Sequence, residues 1–191
     1  MDRRSLVWFR SDLRLLDNQA LVESMRSSDE IYPVYVFDNR VFEGRTSYGF
    51  RKTGVLRARF ILQSVADLSQ SLSKHGLKLI VRVGHPEQVL ANLAAELRAN
   101  YVFCNRERTY EEVQVQNRLE KNLWADGREI RYVRGKMLLY TQDLPFPVMH
   151  APDQFAALRK ETEHFIRIRR PLSIPALKFG NVQIDPGQLP N

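Results

Sequence analysis

Short runs of β-branched and aromatic residues alternate along the chain with longer segments whose apolar positions recur every three or four residues. The first kind of run, bounded by polar turns, is the signature of strands buried on both faces; the second is that of amphipathic helices. Strands are predicted over 5–10, 31–37, 77–83, 100–104 and 128–133, and helices over 18–27, 53–74, 86–99 and 109–124. In the second helix Val55, Phe60, Ile61, Leu62, Val65, Leu68 and Leu72 form one apolar face, with Arg57, Arg59, Asp67 and Lys74 largely opposite. Gly76 stands where a C-terminal cap belongs, and Pro86 occupies a first-turn position.

Strictly alternating strands and helices joined by right-handed crossovers give an α/β fold, a doubly wound five-stranded parallel sheet of the Rossmann-like kind. Ligands of such sheets sit beyond the carboxyl ends of the strands, near the switch in strand order. That rule selects the loops 10–17, 38–52, 84–85 and 105–108 as candidate binding loops. The α/β unit is expected to end near residue 134. Beyond it, 135–191 reads as an extension: an edge segment at 135–140, a Pro-rich linker at 143–147, a helix from a capping Asp153 to about Ile166, and an irregular tail.

Length changes little in this picture, since 191 residues suffice for one buried domain and an extension. No run approaches the roughly 20 apolar residues needed to cross a bilayer, and the N-terminus lacks a signal-peptide pattern. A single cysteine, Cys104, fits a reducing compartment, so a cytoplasmic protein is expected. Net charge matters more: +7, mostly from arginine, favours an anionic partner such as a nucleotide, a folate tail, DNA or an acidic protein surface. Scattered as they are among Glu and Asp, the basic residues also serve solubility alone.

The chemistry-bearing positions follow from the loop rule. Asp38 leaves the sheet at the end of the second strand, where a carboxylate accepts hydrogen bonds from a ring edge and Phe37 offers an apolar wall. Its alternative is a carboxylate capping a turn. Arg57 and Arg59 open the long helix, and one of them can face a ligand carboxylate or phosphate. After the fourth strand come Asn105, Arg106, Glu107 and Arg108, then Glu111 and Glu112 in a helix first turn, where the dipole alone explains acidic residues. Arg10, Asp12, Arg14 and Asp17 are expected to form an ion-pair lattice fixing the first loop or docking another segment. The four histidines have no metal-ligand spacing, and no Ser/His/Asp set or carboxylate pair points to acid–base catalysis.

The opening segment, Trp8-Phe9-Arg10-Ser11-Asp12-Leu13-Arg14-Leu15-Leu16-Asp17-Asn18-Gln19-Ala20-Leu21, resembles the WFR-x-DLR-x-x-DN-x-AL signature of photolyases and cryptochromes at every fixed position. Lys52-Thr53-Gly54, Arg57-Ala58-Arg59-Phe60, Gly84-His85-Pro86-Glu87, Glu111-Glu112-Val113, Asp143-Leu144-Pro145-Phe146 and 154–160 are similar to the DASH branch. The resemblance implies the N-terminal, antenna-type α/β domain of that family, which holds a light-harvesting pigment, usually methenyl-tetrahydrofolate or a deazaflavin. It points to Asp38 and to a carboxylate at the pterin amide edge, Glu107 first and Glu111 second, with Phe37, Asn105 and one of Arg57 and Arg59 completing the candidate contacts.

No counterpart of the family's FAD-binding helical domain appears in these 191 residues. FAD binding and deoxyribodipyrimidine photo-lyase activity are therefore not expected of the chain alone. The resemblance leaves energy transfer to a separate flavin-binding protein as the leading expectation. The alternatives are an empty-pocket regulatory protein that docks a partner or homodimerises through 135–175, and a weak non-specific DNA binder.

Overall fold

The structure is a computed structural model describing residues 3–178, 180 and 182–190. Its strands are β1 (Arg4–Phe9), β2 (Glu30–Asp38), β3 (Ile80–Gly84), β4 (Tyr101–Asn105) and β5 (Glu129–Val133). Its helices are α1 (Gln19–Ser27), α2 (Asn39–Phe42), α3 (Val55–Lys74), α4 (Pro86–Glu96), α5 (Tyr110–Ala125) and α6 (Phe155–Phe165). The strands form one parallel sheet in the order β3-β2-β1-β4-β5, the doubly wound order with its switch between β1 and β4. Among the described residues, no helix is long and apolar enough to cross a membrane.

Alternation along each strand divides the core in two. Leu6, Trp8, Val34, Val36, Ile80 and Val102 pack with Leu90, Leu93, Leu97, Leu119 and Leu123 of α4 and α5 on one face. Val7, Phe9, Ile31, Tyr35, Phe37 and Val81 pack with Leu21, Met25, Val65, Leu68 and Leu72 on the other. Each fully buried Leu or Val contributes roughly 1.5–3 kcal/mol of transfer free energy. Cys104 belongs to this packing: it is fully buried, and burial pushes its thiol up to about 12, so it is a small core residue and not a nucleophile. Pro33 is tolerated in β2 because pairing with β3 begins only at Val34, leaving no outer neighbour at that position.

Helix ends follow local chemistry. After α3, Gly76 (φ +76°) lets its own N–H reach the Ser73 carbonyl and that of Leu77 the Leu72 carbonyl, a Schellman cap closed by the apolar pair Leu72 and Leu77. Gly127 does the same for α5.

Apart from shifted ends of β3 and α4, four details depart from the sequence expectations. A short helix, α2, follows β2 directly. Residues 135–140 form no strand. α6 starts at Phe155 after Gln154, so Asp153 caps nothing. The charged set after β1 is not an ion-pair lattice: Asp12 is buried and accepts from the Arg10 N–H (2.9 Å) and Asn105 Nδ2 (2.5 Å), and only Arg14 and Asp17 pair, loosely, at 3.8 Å. Asp17 instead ties down the extension, bonding the Leu172 backbone in both directions.

The tail is more ordered in its contacts than its composition indicates. Val182 and Ile184 pack against the α4/α5 core face, and the Val81 N–H of the edge strand donates to the Pro186 carbonyl at 2.7 Å. A Cβ on Gly180 would stand 2.2 Å from the Tyr32 ring, so this crossing requires glycine. Positions 179, 181 and 191 of the expected irregular tail lie outside the described residues, as do the first two residues of the N-terminus.

Candidate functional site

At the carboxyl ends of β1 and β2 the two core faces part, and a cleft of about 780 Å³ opens between α3 and the start of α5. That volume lies within the ~300–1,000 Å³ typical of small-molecule sites. Its apolar walls come from Trp8, Leu13, Tyr35, Val41, Phe42, Phe60, Ile61 and Val115; its polar rim carries Arg10, Arg40, Arg45, Lys52, Arg57 and Arg118 with Asp38, Glu111 and Glu112.

Most of these cations are already engaged. The Arg10 guanidinium lies over the Trp8 ring, 4.3 Å from its centroid, and donates to Gln116 Oε1 at 3.2 Å. Arg40 spans two carboxylates: its backbone N–H and Nε donate to Asp38 Oδ1 at 2.9 Å, its Nη2 to Asp38 Oδ2 at 2.8 Å, and Nη1 and Nη2 to both oxygens of Glu87 at 2.9 and 2.8 Å. Hydrogen bonding to Asp38 and Glu87 holds the guanidinium far above its ordinary value against the opposing effect of burial. Burial of Glu87 pushes its carboxyl up, but Arg40, a local backbone N–H and Arg118 outweigh it and leave the group below its usual range. Lys52 Nζ donates to Glu111 Oε1 at 2.5 Å.

Arg57 differs. It lines the cleft, and among the described residues no side chain or carbonyl accepts a hydrogen bond from it. It lies near enough to Tyr35 to oppose the effect of burial, which pushes that phenol up to about 12.

Of the residues expected at a binding site, Asp38, Arg57 and Glu111 reach the cleft and four do not. Phe37 is buried on the α1/α3 side, edge-on to Tyr35 at 4.8 Å and covered by Phe42 of α2 at 5.3 Å. Arg59 lies outside the lining, which answers which of the two helix arginines faces inward. Asn105 is buried between Asp12 and the Gly135 N–H. Glu107 is buried too: Lys136 donates to its Oε2, its backbone N–H donates to Gln116 Oε1 at 2.8 Å, and its Oε1 has no partner. Asp38 is both an N-cap and the anchor of Arg40, with both oxygens occupied. Trp8, Tyr35, Arg40 and Lys52 enter the cleft without having been singled out as ligand residues; Lys52 and Trp8 lay inside the motifs, and Arg40 had no local signal.

The family model described as DNA photolyase matches residues 5–176. Cryptochrome DASH of Gloeobacter violaceus is 40% identical over 185 residues, a match covering 97% of this chain and 37% of that protein. A solved cryptochrome of Synechocystis sp. superposes with a TM-score of 0.90 at 39% identity, over 96% of this chain and 38% of the other. A class III photolyase from Agrobacterium tumefaciens gives 0.80 at 26% identity, over 99% and 38%. The chain belongs to the DNA photolyase family and has the fold of its N-terminal α/β domain, spanning somewhat more than a third of the length of these relatives.

Proposed function

We propose that the cleft seats a light-harvesting pigment, a methenyl-tetrahydrofolate, a deazaflavin or a related nucleotide-like ligand. Its ring would lie against Tyr35, Phe42 and Phe60, and its anionic tail would pair with Arg57, while Asp38 and Glu111 stay at the rim. The observation that carries this reading is the unpaired Arg57 guanidinium on an aromatic cleft whose other charges are largely matched. Energy transfer needs proximity and orientation and no bond making, so these residues would hold the pigment while it absorbs and passes energy to a flavin held outside them. Neither FAD binding nor repair is assigned to them.

The protein is expected to show a near-ultraviolet band, or to acquire one on incubation with either pigment. Losing a charge-assisted hydrogen bond, roughly 1.5–3 kcal/mol, weakens pigment binding in Arg57→Ala by about 10- to 100-fold. Arg59→Ala is the control and retains binding. A colourless protein that refuses both pigments, or equal losses in the two variants, overturns the proposal.

A docking role for 135–175 goes with this reading. Met137, Leu138, Met149, Phe155 and Phe165 are all exposed there, and where such side chains adjoin they favour a partner. The occupant would be the flavin-carrying polypeptide or a second copy. Sedimentation is expected to show concentration-dependent dimers that Leu138→Glu with Phe155→Glu abolishes; a monomer at every concentration removes the homodimer.

A further inference from the structure

Residues 44–53, between α2 and α3, fold into a small hairpin at the edge of the cleft. Arg45 and Arg51 bridge antiparallel, the Thr46 N–H donates to Phe50, that of Gly49 to Thr46 and that of Lys52 to Gly44, and Thr53 Oγ1 donates to the Val41 carbonyl at the base. Its outer part carries Tyr48 and Phe50, which are 85% and 72% exposed. Gly44, Arg45 and Lys52 line the cleft from this hairpin, and Glu111 lines it from the first turn of α5 on the other side. The Lys52–Glu111 ion pair at 2.5 Å therefore ties the hairpin to the opposite wall. Among the described residues it is the one hydrogen bond or ion pair between a hairpin side chain and α5.

We propose that the hairpin is a gate over the cleft and that Lys52–Glu111 is its latch, so that entry and exit of a ligand are limited by breaking this pair. An ion pair with one partner exposed contributes little net stability and weakens with salt. Such a contact holds the closed state as the majority while leaving an open state accessible. A segment with exposed side chains at its tip and exposed backbone belongs to the low-stability end of a fold. The proposal rests on the reading that the cleft receives a ligand, but opening is measurable without one.

The measurement uses Trp8, which lines the cleft yet is only 3% exposed. In a Trp124→Phe background Trp8 is the sole tryptophan, and acrylamide quenching of its fluorescence reports access through the cleft. Lys52→Gln and Glu111→Gln are each expected to raise the quenching constant about two- to fivefold, the factor set by losing a pair of this exposure. The swap Lys52→Glu with Glu111→Lys brings it back toward the wild-type value. Amide exchange at Thr46, Gly49 and Lys52 accelerates in the single variants, and exchange at Val7 in the central strand does not. Unaltered quenching and exchange in both single variants overturn the latch, as does a swap that stays as open as they are. A protein that binds neither pigment but opens in this pattern overturns the pigment reading and leaves the gate standing.

Discussion

Arg40→Ala is expected to lower stability by about 2–3 kcal/mol at pH 7, because it takes the guanidinium contacts from Asp38 and leaves the buried Glu87 with only the more distant Arg118 guanidinium at 3.5 Å. The side chains of Asp38 and Glu87 are 13% and 8% exposed, whereas Arg40 is 32% exposed, so the figure lies below the 3–5 kcal/mol of a fully buried pair. For a chain of this size that is a fall of roughly 5–10 °C in Tm. Glu87 gives the loss a pH signature. Its carboxyl titrates below the ordinary 4.5 in the native protein, so it contributes stability that is present above that value and is lost as pH falls through the depressed folded value. Without Arg40 the effect of burial is less fully offset and the carboxyl rises, which costs stability at neutral pH and none once the group is protonated in both states. The gap between wild type and Arg40→Ala therefore narrows from pH 7 to pH 4. Arg40→Lys recovers only part of it, since one ammonium cannot span both carboxylates with paired donors. Urea unfolding at the two pH values checks this; a gap that is constant with pH, or under 0.5 kcal/mol, rules the account out.

The same residue shows what the sequence could and could not reveal. Strands and helices were legible because their periods differ, and helix boundaries were legible where Gly76 and Pro86 mark them; Gly127 plays the same part after α5 and was not singled out. α4 ends at Glu96 and not at the expected 99 because Arg98 adopts the left-handed cap conformation (φ +51°), with its N–H on Ala95 and that of Ala99 on Ala94. A non-glycine residue in that role leaves no local sign. α2 is one turn long, too short to have a period, and missing it had a consequence at the site: its Phe42 covers Phe37 and takes a place on the cleft wall. The tail was unreadable for another reason. Its fit depends on the absence of a Cβ beside Tyr32 and Val81, a tertiary complementarity that no window of sequence expresses.

For the candidate site, the rule that ligands lie beyond strand ends selected four loops, of which 10–17 and 38–52 border the cleft and 84–85 and 105–108 do not, and it said nothing of the direction of side chains within them. Asp38, Arg57 and Glu111 leave strand or helix ends around the opening and reach it. Asn105 and Glu107 obey the same rule yet turn inward, because the switch point between β1 and β4 is filled by protein groups. Arg10, Asp12, Asn105, Gln116 and Lys136 occupy the position where many doubly wound folds receive a phosphate, and the cleft is displaced toward β2.

That filled switch point is where the opening motif does its structural work. Asp12→Ala is expected to cost about 2–5 kcal/mol, since it leaves the Arg10 N–H and the buried Asn105 Nδ2 without acceptors at roughly 1–3 kcal/mol each. Asp12→Asn keeps one acceptor and turns an amide toward the Asn105 amide, so it recovers only one of the two bonds. Asn105 cannot compensate by flipping, because its oxygen is already held by the Gly135 N–H at 2.8 Å. Asn105→Ala is expected to cost a similar amount, and the double variant less than the sum of the two, as groups in one network are coupled by 0.5 kcal/mol or more. Costs that add within error under urea unfolding would mean that the two side chains act separately. Coupling instead makes the Asp12–Asn105 bond a side-chain tie that extends the β1–β4 pairing into the loop after β1, and the cleft wall from Trp8 to Leu13 depends on it. The pigment band of Asp12→Ala is accordingly expected to weaken together with its stability, whereas that of Arg57→Ala weakens while stability is kept.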